Sequence, residues 1–312
     1  MDLNDAVYIA GHTGLIGSAI ERRLQADGFV NLLTPKHIEL ELTDSLLVQD
    51  FFSTHKPKYV FLAAGKVGGI LENNKYPADF LTANLAIQLN VLKAAAQTGV
   101  ERLIMYGSSC MYPRQIDQPM AEDVLLDGKP EPTSIAYAIA KLAGVHMCLA
   151  YNKQFGIKRF LPVIPNSVYG PNDNFSASSG HVLSVLIARF HNAMLSGANV
   201  VTVWGTGKPR REFIHADDVA GASIMLMSSD PSGVDFPLNI GVGQDYSIIE
   251  LARSIASVVG YNGEIQFDLS KPDGAPRKLL DSKRLRALGW KPRIEFMDGL
   301  KKTYEWYLTS GE

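Results

Sequence analysis

Seven residues near the N-terminus restrict this chain more than any others. Gly11-His12-Thr13-Gly14-Leu15-Ile16-Gly17 follows a short apolar run, residues 6–10, and opens an amphipathic helical pattern, residues 16–27. In a strand–turn–helix unit the three glycines do different things. Gly11 permits the tight turn, Gly14 lets the backbone approach a pyrophosphate, and Gly17 lets the helix pack close to the sheet. The start of the helix adds free N–H groups and positive partial charge. Gly11, Thr13, Gly14, Leu15, Ile16 and Gly17 are therefore the expected contacts of a dinucleotide cofactor.

The pattern that follows fits such a turn. Residues 31–34, 58–63, 102–106 and 159–164 read as strands, and 45–53, 79–99 and 133–155 as helices, the first of them capped by Asp44 or Ser45. This alternation predicts the α/β class, with a doubly wound parallel Rossmann sheet and a smaller C-terminal substrate lobe. The expected division is a dinucleotide-binding domain over residues 1–165, to which a segment at about 209–245 returns, and a lobe formed mainly by 166–312. Residues 165–180, rich in Pro, Asn, Ser and Gly, read as a long functional loop.

Bulk properties narrow the partners. With 30 basic and 32 acidic residues the net charge is −2, so no basic field invites nucleic acid. The two cysteines, Cys110 and Cys148, are too few for a disulfide framework and lack the spacing of a zinc site, so no metal is expected. No apolar run reads as long enough to cross a bilayer, and residues 1–5 carry two acids and no basic segment of a signal peptide. A cytoplasmic protein without membrane contact is the expectation.

A second constellation suggests the chemistry. Tyr137 and Lys141 are four apart on a helical pattern and share a face. A carbonyl reductase needs a proton donor at the ketone oxygen, and a nearby ammonium would lower a phenol from its ordinary value of about 10. Lys141 is placed both to do this and to hold a nicotinamide ribose. Ser108 follows the strand 102–106 at its carboxyl end, where its hydroxyl can polarise the same oxygen. Past the second strand stands Lys36, suited to a 2′-phosphate; the lean is to NADP(H), with NAD(H) left open.

Seven segments carry a resemblance: GHTGLIGSAI from Gly11, KVGGILENNKYPADF from Lys66, GSSCMYP from Gly107, YAIAKLAG from Tyr137, YGPNDNF from Tyr169, WGTGKPRREFIHADD from Trp204 and KPDGAPRKLLD from Lys271. Together they resemble the GDP-L-fucose synthases, a family of extended short-chain dehydrogenases/reductases. The resemblance implies a bifunctional 3,5-epimerase/4-reductase that converts GDP-4-keto-6-deoxy-D-mannose to GDP-L-fucose with NADPH, commonly as a homodimer through the two long helices. It also implies that Cys110 and His181 are the pair exchanging protons at C3 and C5, with His181 near the cofactor as well. The same resemblance places Arg189, Arg211 and Lys278 near the GDP group and Trp204 as an apolar wall beside it, making the second lobe a nucleotide-sugar site. Cysteine and histidine ordinarily titrate near about 8.5 and 6.5, so both can exchange protons near neutrality. Cys148 reads as core.

The sequence departs from the family pattern in places. Thr13 replaces an Arg, Pro35-Lys36 an Arg-Thr pair, and Ser167 an Asn, while Ser179-Gly180 precede His181 and Ser134-Ile135-Ala136 precede Tyr137. These changes leave room for a reductase or epimerase/reductase of a different GDP-4-keto sugar, of the colitose or deoxyheptose type. A reading from another class is a non-catalytic dinucleotide-binding regulator.

Overall fold

A computed structural model describes residues 1–271 and 273–310. The chain begins β1 (Val7–Ala10), α1 (Leu15–Ala26), β2 (Leu32–Leu33), α2 (Ser45–His55), β3 (Tyr59–Leu62), α3 (Ile70–Lys75), α4 (Pro77–Thr98), β4 (Arg102–Tyr106), α5 (Ile135–Phe155) and β5 (Phe160–Pro165). It continues β6 (Ser167–Tyr169), α6 (Val182–Ser196), β7 (Val200–Trp204), β8 (Arg210–Arg211), β9 (Phe213–His215), α7 (Ala216–Ser228) and β10 (Leu238–Ile240). The last elements are β11 (Tyr246–Ser247), α8 (Ile248–Val259), β12 (Glu264–Asp268), β13 (Arg277–Lys278), α9 (Lys283–Ala287) and α10 (Phe296–Ser310).

The central sheet has six parallel strands in the order β10-β5-β4-β3-β1-β2. Every residue of β1, β3 and β5 is buried, as strands covered by helices on both faces must be. On one face Tyr8, Leu62, Leu103 and Met105 meet Phe52 of α2, Leu92 of α4 and Val145 of α5. On the other Val7, Ile9, Phe61 and Ile104 meet Ile20 and Leu24 of α1, Val219 and Met227 of α7, and Leu285 and Trp290 from the C-terminal part. β1 connects outward to β2, while β3 lies on its other side, so the strand order reverses there and a crevice forms at the carboxyl ends. A third core, with Leu186, Ile187, Phe190, Val203, Leu251, Ile255 and Leu300, joins α6, α8 and α10 to the β7–β12 pair and makes a separate lobe.

Local chemistry sets the helix ends. Asp44 accepts hydrogen bonds from Leu46 N and Leu47 N at the start of α2, and α4 ends at Gly99 with φ +79°.

Four sequence expectations need correction. The helix expected at 79–99 starts at Pro77, whose ring suits a first helical position, and the separate α3 precedes it. The strand at 31–34 shrinks to Leu32–Leu33, and the loop at 165–180 contains β6. The segment Pro132–Phe155 is, by length and composition, long and apolar enough to cross a bilayer. About a third of its apolar window is buried: α5 packs into the first core on one side and against α4 on another, so closely that a methyl at Gly144 would overlap the Gln88 side-chain oxygen of α4.

Candidate active site

The glycine turn is shaped by contacts that exclude side chains. Gly11 has φ +82°, and a Cβ there would stand 2.7 Å from Ala64 N, just beyond β3. A Cβ on Gly17 would lie 2.6 Å from the Gly11 carbonyl carbon. Gly14, the N-cap of α1, has no side-chain cap, and a Cβ on it would find no atom nearer than 3.5 Å. The start of α1 thus presents uncapped N–H groups past an open, exposed glycine, and this cradle fits a dinucleotide pyrophosphate. Thr13 is exposed, whereas Leu15 and Ile16 are half-buried. Lys36 is exposed in the loop after β2; its backbone N–H donates to Glu39 Oε2 (2.7 Å).

The loop after β3 links the separate parts. Ala64 abuts Gly11, and Gly65 lies so near Lys141 that a Cβ there would be 3.4 Å from Nζ and 2.7 Å from Asn84 Oδ1. Further along, Gly69 N donates to Ser179 O (2.8 Å), two residues before His181. Sequence reasoning missed Asn84. It is buried in α4, donates from Nδ2 to Lys66 O and Phe80 O, and leaves Oδ1 without a hydrogen-bond partner at the edge of the Lys141 pocket.

Ser108, Cys110 and Tyr137 form one contact set. Ser108 follows β4 and caps a short 3₁₀ turn, Ser109–Met111, its Oγ accepting from Cys110 N at 3.2 Å. Tyr137, two residues into α5, is hydrogen-bonded to Ser108 and packs edge-on against the fully buried Phe80, ring centroids 6.4 Å apart. The expectation that Lys141 lowers the phenol is not met. Burial pushes Tyr137 well above the ordinary range, the Cys110 sulfur adds to this, and the Ser108 hydrogen bond offsets only part. Lys141, 5% exposed, donates to Tyr106 O (3.0 Å) with Nζ 5.9 Å from the Tyr137 ring centroid. Burial pulls its own ammonium down to about 8, so Lys141 is charged at pH 7 but already neutral over the range in which the phenol ionises.

The Cys110 thiol is opposed by burial, but the charge of Lys278 and hydrogen bonds from Ser108, Lys278 and Ser134 overcome this and hold it below the ordinary range. Lys278 Nζ lies 3.6 Å from Sγ. Arg211, expected with Lys278 beside the GDP group, pairs with it in register across β8 and β13 and also faces the sulfur. Ser134 stands three residues before Tyr137, in a stretch that the sequence marks only as a departure from the family pattern. Cys148 is a fully buried core residue, as expected.

His181 is the exposed N-cap of α6. Among the described residues no hydrogen bond or ion pair joins it to Cys110 or Tyr137. Its charged neighbour is Asp173, another residue sequence reasoning missed, which is buried and accepts from Asn174 N and from Ser184 Oγ in the first turn of α6. Arg189, further along α6, donates to Thr202 O (2.6 Å), and Trp204 closes β7 with its ring 47% exposed and Lys271 Nζ 5.6 Å from its centroid. The neighbouring Pro272 lies outside the described residues. Among the described residues no cluster of three or more His, Cys, Asp or Glu is arranged to hold a metal ion.

Comparison with known proteins adds independent findings. Residues 7–241 match the model of the NAD dependent epimerase/dehydratase family. GDP-L-fucose synthase 1 of Arabidopsis thaliana is 50% identical, over 98% of this chain and 94% of its own. The crystal structure of a GDP-6-OMe-4-keto-L-xylo-heptose reductase from C. jejuni superposes with a TM-score of 0.93 at 37% identity, covering 99% of each chain. A GDP-L-fucose synthetase from Naegleria fowleri bound to NADP gives a TM-score of 0.91 at 29% identity, over 100% of this chain and 95% of that one.

Proposed function

The chain belongs to the NAD dependent epimerase/dehydratase family, and we propose that within it the protein is a GDP-L-fucose synthase. It inverts C3 and C5 of GDP-4-keto-6-deoxy-D-mannose and reduces C4 with NADPH. The observation that carries this reading is the joining of Ser108, Cys110 and Tyr137 in one contact set, linked through the loop after β3 to the glycine turn and to the segment before His181. The fucose synthase relative at 50% identity supports this substrate over the heptose type, whose reductase is 37% identical.

The residues divide the work. Ser108 and Tyr137 donate hydrogen bonds to the C4 oxygen and stabilise charge as it develops there. Polarising that carbonyl acidifies the protons on C3 and C5, and Cys110 and His181 remove and return them on opposite faces. The elevated phenol keeps its proton at neutral pH and releases it to the C4 oxygen during reduction. Gly11, Thr13, Gly14, Leu15, Ile16 and Gly17 would hold the dinucleotide, which supplies the hydride, and Lys141 its ribose. Lys36 and the NADP-bound neighbour support NADP over NAD. Arg189, Trp204, Arg211 and Lys278 hold the GDP end. The protein works in the cytoplasm as a homodimer, with α4 and α5, which expose Leu89 and Ile139, as its interface.

The test is product identification by NMR after incubation with the keto sugar and either NADPH or NADH. GDP-L-fucose formed faster with NADPH supports the reading. Preferred turnover of a colitose- or heptose-type keto sugar would replace the substrate, and cofactor binding without turnover of any keto sugar would favour the regulator.

A further inference from the structure

Cys110 is a half-buried residue whose sulfur has a cation at hydrogen-bond distance and the charge of a second nearby. From β13, Lys278 Nζ donates to it at 3.6 Å. From β8, Arg211, paired in register with Lys278, adds a charge that is attracted to the sulfur. From α5 comes Tyr137, a half-buried residue whose phenol stays neutral at pH 7, and Ser134 and Ser108 add hydroxyls. The acids in this region, Glu131 and Asp273, act on Arg211, and Asp273 is further engaged by Thr206 N and Oγ1. Among the described residues the sulfur therefore meets positive charge without a carboxylate contact to cancel it.

We propose that Lys278, 3.6 Å from the sulfur, favours the anionic form of Cys110 in the substrate-free enzyme, acting as the positioning cation of the proton-exchanging group and not only as a ligand of the nucleotide diphosphate. Cys148 supplies the internal comparison: it is fully buried with no cation beside it among the described residues, and burial pushes its thiol up, whereas Cys110 is drawn down despite burial. The proposal rests on the reading of Cys110 as an exchanging group. It adds what the family resemblance does not give, a second role for Lys278 before substrate arrives.

The test is the pH dependence of alkylation. Substrate-free enzyme is treated with iodoacetamide from about pH 5 to 10, and the labelling rate of Cys110 is followed by intact mass and peptide mapping, with Cys110→Ser subtracting any signal from Cys148. The wild type is expected to show a midpoint below about 8.5, the ordinary cysteine value. Lys278→Met should raise that midpoint by about one unit or more, slowing labelling at pH 7 by about tenfold. Lys278→Arg, which keeps the charge, should stay close to the wild type. A wild-type midpoint at or above the ordinary value overturns the proposal without any variant. So does a Lys278→Met profile whose plateau changes while its midpoint does not, because that pattern marks altered access and no change of charge state. The assay contains neither sugar nor cofactor, so its failure would leave the synthase reading, tested by product analysis, untouched.

Discussion

Replacing Gly17 with Ala isolates the contribution of the glycine turn. Alanine ordinarily stabilises a helix interior by about 1 kcal/mol over glycine. At position 17 the new methyl would sit 2.6 Å from the Gly11 carbonyl carbon and 2.9 Å from His12 Cα. Ordinary contact begins at 3.4 Å, and the obstructing atoms are backbone, so no side chain can rotate away. The Gly11 carbonyl oxygen stands nearer still, so the turn must open by about 1 Å or more; that pulls the N–H groups off the pyrophosphate, and hydrogen bonds to a charged group are worth about 1.5–3 kcal/mol each, about 100-fold in affinity for one or two lost. Overpacking should remove a further 1–3 kcal/mol or so of stability. Calorimetric titration with NADPH should therefore show Kd raised by about two orders of magnitude, and thermal melts a Tm lower by several degrees. Two further variants sharpen the comparison. Gly14→Ala, with no atom nearer than 3.5 Å, should keep its Tm but lose affinity, because a methyl at the open N-cap would narrow the approach to the first N–H groups of α1. Gly221→Ala, in α7 with nothing within 4 Å, should be neutral or slightly stabilised and bind normally. A Gly17→Ala protein that matched the Gly221→Ala protein in Tm and affinity would refute the reasoning.

Three other outcomes follow from the site. Tyr137→Phe should reduce C4 reduction by about 10²–10⁴-fold while solvent deuterium still enters C3 and C5, as NMR of the recovered keto sugar would show. Cys110→Ser should do the reverse, stalling exchange by a similar factor of about 10² or more while NADPH titration stays unchanged. Lys141→Met should abolish reduction yet stabilise the fold. The buried ammonium titrates near about 8, against 10.5 when exposed, so the unfolded chain holds more protons between these values and burial of the charge costs about 3 kcal/mol at pH 7. The Tm gain over wild type should therefore be largest at pH 7 and disappear as the pH rises towards 10.5, as pH-resolved melts can check.

The parts of this molecule legible in its sequence are those set by local geometry. Gly11 and Gly17 could be read because only glycine tolerates a positive φ or a backbone at their distances, and Tyr137 and Lys141 because helical spacing puts them on one face. The elevated Tyr137 phenol is not legible in the sequence, because its main cause is desolvation in a site where the ring packs against Phe80, and spacing alone says nothing of desolvation. Nor is the Lys278–Cys110 contact. It spans 168 positions and depends on two-residue strands, β8 and β13, too short to carry any periodicity. The apolar length of α5 was underestimated because Lys141 interrupts it, yet that lysine is itself buried. Asp173 lay in a segment read simply as loop, and only the fold reveals that its carboxylate grips the first turn of α6 beside His181.

The most direct measurement is to run the complete reaction in deuterium oxide with unlabelled NADPH and locate the isotopes in the product by NMR. One site performing both chemistries predicts GDP-L-fucose with deuterium at C3 and C5 and protium at C4. A reduced product that keeps protium and the original configuration at C3 and C5 would contradict it.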